Sequence, residues 1–352
     1  MKRKADTPKA KIPKRSKFAL AIVAIGGLLT LTLGVIMGAY AFVQYQYNAV
    51  PKGEPKTVTI DVPRGTGLST MASRLESDGL IKSAFIFKLV TKLDGNEAGL
   101  KAGEFELNLP ASMSSVYTQL AEGKPVQYSF TAPEGRTSAQ IIRALSTADK
   151  LTGEAPSVPA EGTLLPETYL FSRNASRESV VKAMADAQTK LIDDLWETRA
   201  PDLPFTTKRE AIILASIVEK ETGMDGERAH VAGVFVNRLR KGMRLESDPT
   251  IIYGITKGEI LTGRNGKQRG LRRSEIDRKT DWNTYQIDGL PITPICNPGR
   301  DAIAAVLNPP VTDDLFFVAD GTGGHVFAKT YKEHLRNVAK WRKIEAERKR
   351  GR

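Results

Sequence analysis

Thr57 to Leu75 reads TVTIDVPRGTGLSTMASRL. Apolar and polar residues alternate through its first part, which is the two-residue period of a half-buried strand; Pro63 and Gly65 then mark a turn, and an apolar helix follows. Tyr128 to Leu145, YSFTAPEGRTSAQIIRAL, has the same order at an offset of 70 residues, with Pro63 matching Pro133, Gly65 matching Gly135, Met71 and Ala72 matching Ile141 and Ile142, and Leu75 matching Leu145. Two copies of a strand-turn-helix unit are one reading. Two separate uses of a common β-turn-α pattern are the other. Either way the chain mixes strands with helices.

Upstream, Phe18 to Val43 is 26 residues without a charge (FALAIVAIGGLLTLTLGVIMGAYAFV). At about 1.5 Å per residue such a helix more than spans a hydrocarbon core of about 30 Å. Ala39-Tyr40-Ala41 has the small-x-small pattern of a signal-peptidase site, but the apolar run exceeds the roughly 15 residues of a signal core. An uncleaved transmembrane helix is therefore expected over 18–43. Eight Lys or Arg residues precede it and only Lys52 and Lys56 lie within the 15 residues after it, which puts residues 1–17 inside and the large C-terminal part outside.

The net charge of +12 sits at the two ends: residues 1–17 and 329–352 carry +7 each, leaving −2 between them. No basic domain remains to track a phosphate backbone, so nucleic acid is not an expected partner. Cys296 is the single cysteine, which rules out a disulfide within the chain; three histidines and no Cys/His cluster give no metal-ligand spacing, and neither a metal nor another cofactor is expected.

Beyond a linker at 44–55, a Pro/Gly-rich stretch at 150–163 marks a boundary or hinge. A helical region follows: Glu178 to Arg199 has helix-period apolar residues, Thr207 and Glu210 fit a capping box opening the next helix, which Gly223 closes, and a further helix is expected from about Glu227 to Lys241. LFFVA at 315–319 and HVFA at 325–328, joined by DGTGG, read as a hairpin.

Glu219, in AIILASIVEKETG, is the strongest candidate for chemistry. Positions 212, 215 and 216 share its helix face, and a carboxyl group rising from apolar surroundings favours the protonated form that a general acid needs. The same residues also read as the solvated end of an amphipathic helix. Glu221 points about 200° away, so these two carboxylates do not share one cleft. Two loops offer further polar groups: GMRLESDPTIIYG (242–254), with Ser247, Asp248 and Thr250 in a turn around Pro249, and DWNTYQIDGLPITPICNPG (281–299), with Asn283, Tyr285 and Asn297. Rigid loops of this kind suit sugar rings, and equally serve as plain connections.

The motifs EGTLLPETY (161–169), ILASIVEKETG (213–223), VFVNRL (234–239), GMRLESDPTIIYG, NTYQIDGLPITPICNPG (283–299), FFVADGTGGHVF (316–327) and Glu333-His334 occur in one order, and in this the chain resembles the YceG-like endolytic murein transglycosylases from its anchor to about residue 340. The resemblance implies an α+β chain: a cytoplasmic tail (1–17), a transmembrane helix (18–43), a linker (44–55), a LysM-like peptidoglycan-binding region (56–130), a mixed α+β catalytic domain (131–340) and a basic tail (341–352). It implies residence in the cytoplasmic (inner) membrane, single-pass, with the catalytic domain outside. The family's essential glutamate falls on Glu219. Glu167, Tyr169, Asn237, Ser247, Asp248, Tyr253, Asn283, Tyr285, Asn297 and His325 lie in the matching motifs and are the candidate substrate contacts. Ile292 stands where the family usually has proline, and no aromatic residue follows Glu161-Gly162.

The implied activity is an endolytic lytic transglycosylase (a carbon-oxygen lyase) cleaving the MurNAc-β-1,4-GlcNAc bond, leaving 1,6-anhydro ends and terminating nascent strands, with peptidoglycan synthases as candidate partners. Two alternatives remain at this point: a hydrolase in which Asp248 activates water, and a non-enzymatic wall-binding scaffold.

Overall fold

The computed structural model describes residues 14–63, 65–96, 99–223 and 225–350. Most of the basic N-terminal tail and the last two residues of the C-terminal tail lie outside these. The chain divides into two compact units, Met1–Val126 and Gln127–Arg352.

The first unit begins with helix α1 (Lys14–Asn48), somewhat longer at both ends than the apolar run itself. Its stretch Phe18–Asn48 has a mean hydropathy of 2.4, long and apolar enough to cross a membrane. The side chains from Phe18 to Phe42 are all exposed, so no protein covers an apolar surface that runs right round the helix. Only toward its C-terminal end does it join the core, where Val43 packs against the cluster and Tyr47 is buried against Phe87 with ring centroids 6.4 Å apart.

There follow β1 (Lys56–Val62), α2 (Leu68–Ser77), α3 (Ala84–Leu93), β2 (Gly103–Leu109) and α4 (Met113–Ala121). β1 and β2 pair antiparallel from Lys56↔Leu109 to Val62↔Gly103. Ile60 and Val62 of β1 face Met71 and Leu75 of α2, Phe87 and Val90 of α3, and Phe105 and Leu107 of β2 in one apolar cluster. Ser83 starts α3 by accepting the Ile86 N–H, and Ser112 starts α4 by accepting that of Ser115.

The second unit opens on the second strand-turn-helix: β3 (Gln127–Thr131) and α5 (Ser138–Ser146). Both copies exist. Gly65 and Gly135 both turn at positive φ (+79° and +72°), where a side chain would be strained. Met71, Ala72 and Leu75 are buried in the first copy, and Ile141, Ile142 and Leu145 in the second. Each strand finds an antiparallel partner in its own unit, β3 with β5 (Thr168–Ser172). β4 (Leu151–Thr152) and β6 (Ala175–Ser176) form a short parallel pair. The Pro/Gly-rich stretch 150–163 thus lies inside the second unit, and the division falls at Val126/Gln127.

Helices α6 (Arg177–Glu197), α7 (Lys208–Glu221) and α8 (Arg228–Arg240) follow, the last after a 3-10 turn at Asp225–Glu227. The expected capping box is present: the Thr207 hydroxyl accepts the Glu210 N–H at 3.2 Å, and the Glu210 carboxylate accepts the N–H groups of Thr206 and Thr207, each at 2.9 Å. These bonds, Thr206 first, hold the Glu210 carboxyl below its usual range.

One local expectation is corrected here. The residues around Pro249 do not form a turn between apolar stretches; they open helix α9 (Asp248–Thr256), with Ser247 as its N-cap and Pro249 in its first turn. Proline fits there because its missing N–H would have had no helical partner.

A short α10 (Arg273–Ile276) precedes the irregular segment 277–298. The unit closes with α11 (Arg300–Leu307), the hairpin β7 (Phe316–Ala319) and β8 (His325–Ala328), and α12 (Tyr331–Arg350). The largest cluster packs α7, α8 and α11 against one another, with Leu214, Ala215, Ile217, Val218, Phe235, Ile303 and Val306 buried. Mixed helix and strand, with helices dominant, makes the fold α+β.

Candidate active site

The C-terminal turn of α7 carries two carboxyl groups into different surroundings. Glu219 is 8% exposed. Its Oε2 accepts the N–H of Gly299 at 3.0 Å, and its Oε1 lies 3.6 Å from Nη2 of Arg228. Gly299 is the N-cap of α11, so the carboxyl sits at that helix's electropositive end. The apolar face expected from the sequence is therefore only half of its environment.

Arg228 gathers two more acids: Glu134 Oε2 at 3.5 Å from Nη2 and Asp301 Oδ2 at 3.8 Å from Nη1. Glu134 comes from the turn of the second strand-turn-helix copy and packs so closely on Gly299 that a Cβ there would lie 1.7 Å from its Oε1. A larger residue at 299 would have to push the Glu134 carboxylate aside, although the φ of −74° itself suits any residue.

Asn297 binds this corner together. Its Oδ1 accepts the N–H of Leu164 at 3.0 Å, and its Nδ2 donates to the Arg136 carbonyl and to Ser138 Oγ, both at 3.1 Å. Beside it, Glu161 accepts the N–H of Ser138 at 2.8 Å through one oxygen, while the other is buried without a hydrogen bond. Burial, opposed by the bonds to Ser138, pushes the Glu161 carboxyl up to about 7.

Glu221 faces elsewhere. Its Oε1 accepts the hydroxyl of Ser247 at 2.6 Å, and Tyr285 donates its phenolic O–H to Asp248 Oδ1 at 2.9 Å. Burial chiefly pushes the Glu221 carboxyl up to about 6; the Ser247 bond opposes the rise, the Asp248 charge adds to it, and His325 and Arg238 oppose it. Desolvation and then Asp248 also push the Tyr285 phenol up. Asp248 is exposed, so this cluster opens to solvent.

Of the candidate contacts, Ser247, Asp248 and Tyr285 are thus brought together, beside Glu221. The others are dispersed. Asn237 Nδ2 donates to the carbonyls of Thr312 (2.6 Å) and Asp314 (3.2 Å) and pins the segment before β7 onto α8. Asn283 is fully buried and donates to the carbonyls of Ile276 and Arg278. Tyr253 is buried edge-on to Trp282, and burial pushes its phenol up to about 12. Tyr169 is half-buried with its O–H on the Leu165 carbonyl at 2.8 Å, and Glu167 is exposed. His325 Nδ1 lies 2.8 Å from Glu227 Oε2. Cys296 is buried, and burial pushes its thiol well up. Among the described residues, no group of three or more His, Cys, Asp or Glu side chains could hold a metal ion.

Glu134, Glu161, Arg228, Gly299 and Asp301 were not picked out from sequence. Glu134 was visible only as part of a turn, and Glu161 and Gly299 only as motif ends; no spacing ties any of them to Glu219.

The YceG-like family model matches residues 60–340. The chain belongs to the YceG-like family. Among curated relatives, the endolytic murein transglycosylase of Bacillus subtilis (strain 168) is 30% identical over 340 residues, spanning 87% of this chain and 91% of its own length. That of Streptococcus pneumoniae serotype 2 is 30% identical over 359 residues, covering 89% of this YceG-like chain, which spans 63% of the pneumococcal protein. A solved YceG-like protein from Listeria monocytogenes is 27% identical and covers 80% of this chain and 99% of its own, with a TM-score of 0.46.

Proposed function

We propose that the chain is a membrane-anchored lytic transglycosylase that cuts peptidoglycan between N-acetylmuramic acid and N-acetylglucosamine and leaves 1,6-anhydro ends. The observation that carries the reading is the setting of Glu219, a largely buried carboxyl at the end of α7, fixed between the Gly299 N–H and Arg228, in a family whose curated relatives are named endolytic murein transglycosylases.

The reaction follows from one such carboxyl. Glu219 gives its proton to the glycosidic oxygen as the bond to the muramyl C1 breaks. The muramyl C6 hydroxyl oxygen then bonds to C1, and its proton returns to Glu219. Both transfers are general acid/base steps by one group, and no water is consumed. Gly299 and Arg228 hold the carboxyl in a single place for both, which is what orientation requires.

A second reading is hydrolysis, in which another carboxylate activates water. Asp248, the residue first considered, belongs to the Glu221 cluster; Glu134, which shares Arg228 with Glu219, is the better-placed group for it. Product masses separate the two. We expect uncrosslinked glycan strands to give ends lighter by one water than reducing ends, and reducing ends alone would reject the lytic reading. Binding to sacculi with no cleavage at all would favour a scaffold.

α1 serves as the anchor, with the basic N-terminal tail inside and the rest outside. The β1-α2-α3-β2 order of the first unit supports its reading as a LysM-like peptidoglycan binder. Because Gln127–Thr131 pairs with β5 in the second unit, a deletion testing this stops at Val126. Removing residues 56–126 is expected to weaken sacculus binding more than turnover of short soluble glycans. Equal loss of both, in a folded protein, would count against a modular binding role.

A further inference from the structure

We infer that Glu221 is a positioning residue for a second sugar subsite, formed by Asp248 and Tyr285, that takes a neutral, donor-bearing ring of the glycan such as N-acetylglucosamine. The inference rests on the transglycosylase reading and adds a residue and a ligand class to it.

The geometry is specific. Asp248 stands at the start of α9, and Ser247 is that helix's N-cap. The Ser247 side chain makes no capping bond to its own helix; its hydroxyl is donated instead to Glu221 at 2.6 Å. The Ser247 N–H goes to Thr284 Oγ1 at 2.9 Å, and Thr284 precedes Tyr285 directly. Glu221 therefore ties the end of α7 to the residue joining Asp248 with the Tyr285 segment. A bond this short to a carboxyl group belongs to the stronger class of hydrogen bonds.

The chemistry of this pair, of which Asp248 is exposed and Tyr285 half-buried, selects its ligand. Tyr285 spends its only proton on Asp248, so the pair offers outward the second Asp248 oxygen and the phenolic lone pairs, all of them acceptors. A partner must bring donors, as sugar hydroxyls and acetamido N–H groups do. The nearby cations are committed elsewhere: Arg238 donates to the carbonyls of Leu315 (2.6 Å) and Leu245 (2.9 Å), and Arg244 to the Tyr285 carbonyl (2.8 Å) and to Asp288 Oδ1 (3.1 Å). With Glu221 and Asp248 side by side, a ring bearing a free carboxylate is disfavoured.

The test uses the full chain in detergent micelles with uncrosslinked glycan strands, and tetra-N-acetylchitotetraose as a neutral competitor. Glu221→Ala, Ser247→Ala and Asp248→Asn should each raise KM and the competitor's Ki about tenfold with kcat within about threefold, the size of one lost charge-assisted hydrogen bond. Glu221→Gln, whose amide oxygen still accepts the Ser247 hydroxyl, should recover most of the loss. The Glu221→Ala/Ser247→Ala double variant should be no worse than either single one, because both remove the same bond.

Were Glu221→Ala to unfold, Asp248→Asn would carry the test, since that side chain is exposed. A fall in kcat at constant KM, a Glu221→Gln variant as weak as Glu221→Ala, or a competitor that does not bind would each overturn the inference. The transglycosylase reading stands or falls separately on Glu219→Gln.

Discussion

Glu219→Gln is expected to lower anhydro-product formation by a factor at or above the upper end of the roughly 10²–10⁴ range typical of general acid/base assistance. The amide keeps the shape and the acceptor for the Gly299 N–H but has no proton to give. The expected loss is large because one group serves both transfers. Glu221→Gln is the matched comparison two residues away. It is expected to cost only a few-fold, since its partner Ser247 still finds an acceptor. Neither change empties a core position, so thermal midpoints should be similar. More than about a tenth of wild-type activity in Glu219→Gln, or abolition by Glu221→Gln in a folded protein, would show the acid to be misassigned.

The second large effect is expected at Asn297, through stability. Asn297→Ala leaves the Leu164 N–H without its acceptor at a fully buried position and removes two further bonds, although the Arg136 carbonyl keeps the backbone N–H of residue 297 and the Ser138 hydroxyl keeps the Ala160 carbonyl. The stranded donor costs about 1–3 kcal/mol and each of the other lost bonds about 0.5–1.5 kcal/mol, so a destabilisation of about 2–4 kcal/mol follows, and with it a drop of roughly 8 °C in the midpoint of a unit this size. Asn297→Asp should not rescue it. The aspartate keeps an acceptor for Leu164 but turns a second acceptor toward the Arg136 carbonyl. A midpoint within about 2 °C of wild type, measured calorimetrically, would mean that Asn297 does not carry the support described here.

What was legible in the sequence was what short-range pattern encodes. The apolar run before Gln44, the two strand-turn-helix copies, the Thr207/Glu210 box and the 315–328 hairpin all declare themselves within a few turns of chain, and all are present. Ser247-Asp248-Pro249 was misread because a polar cluster with proline suits both a loop and a helix start; the choice depends on the apolar residues that follow being buried, which Ile251 and Tyr253 are. Around Glu219 the limits were different. Gly299, Arg228 and Glu134 come from three other parts of the chain, and only folding brings them to one carboxyl. Asn237, Asn283 and Asn297 all lie in the motifs that suggest sugar contacts, yet each spends its side chain largely on backbone groups, a use that no local pattern distinguishes from binding.

Tyr47 has a consequence for how the protein stands on a membrane. It lies in the last turn of α1 and also in the core of the first unit, against Phe87. A flexible leash at that point would let the unit rotate and roam; a helix whose end is built into the core does not. Any lean of the helix in a bilayer would be passed on to the β1-β2 sheet as a lean of the same angle. The stem and its first unit would then behave as one post, holding that unit at a set height above the lipid.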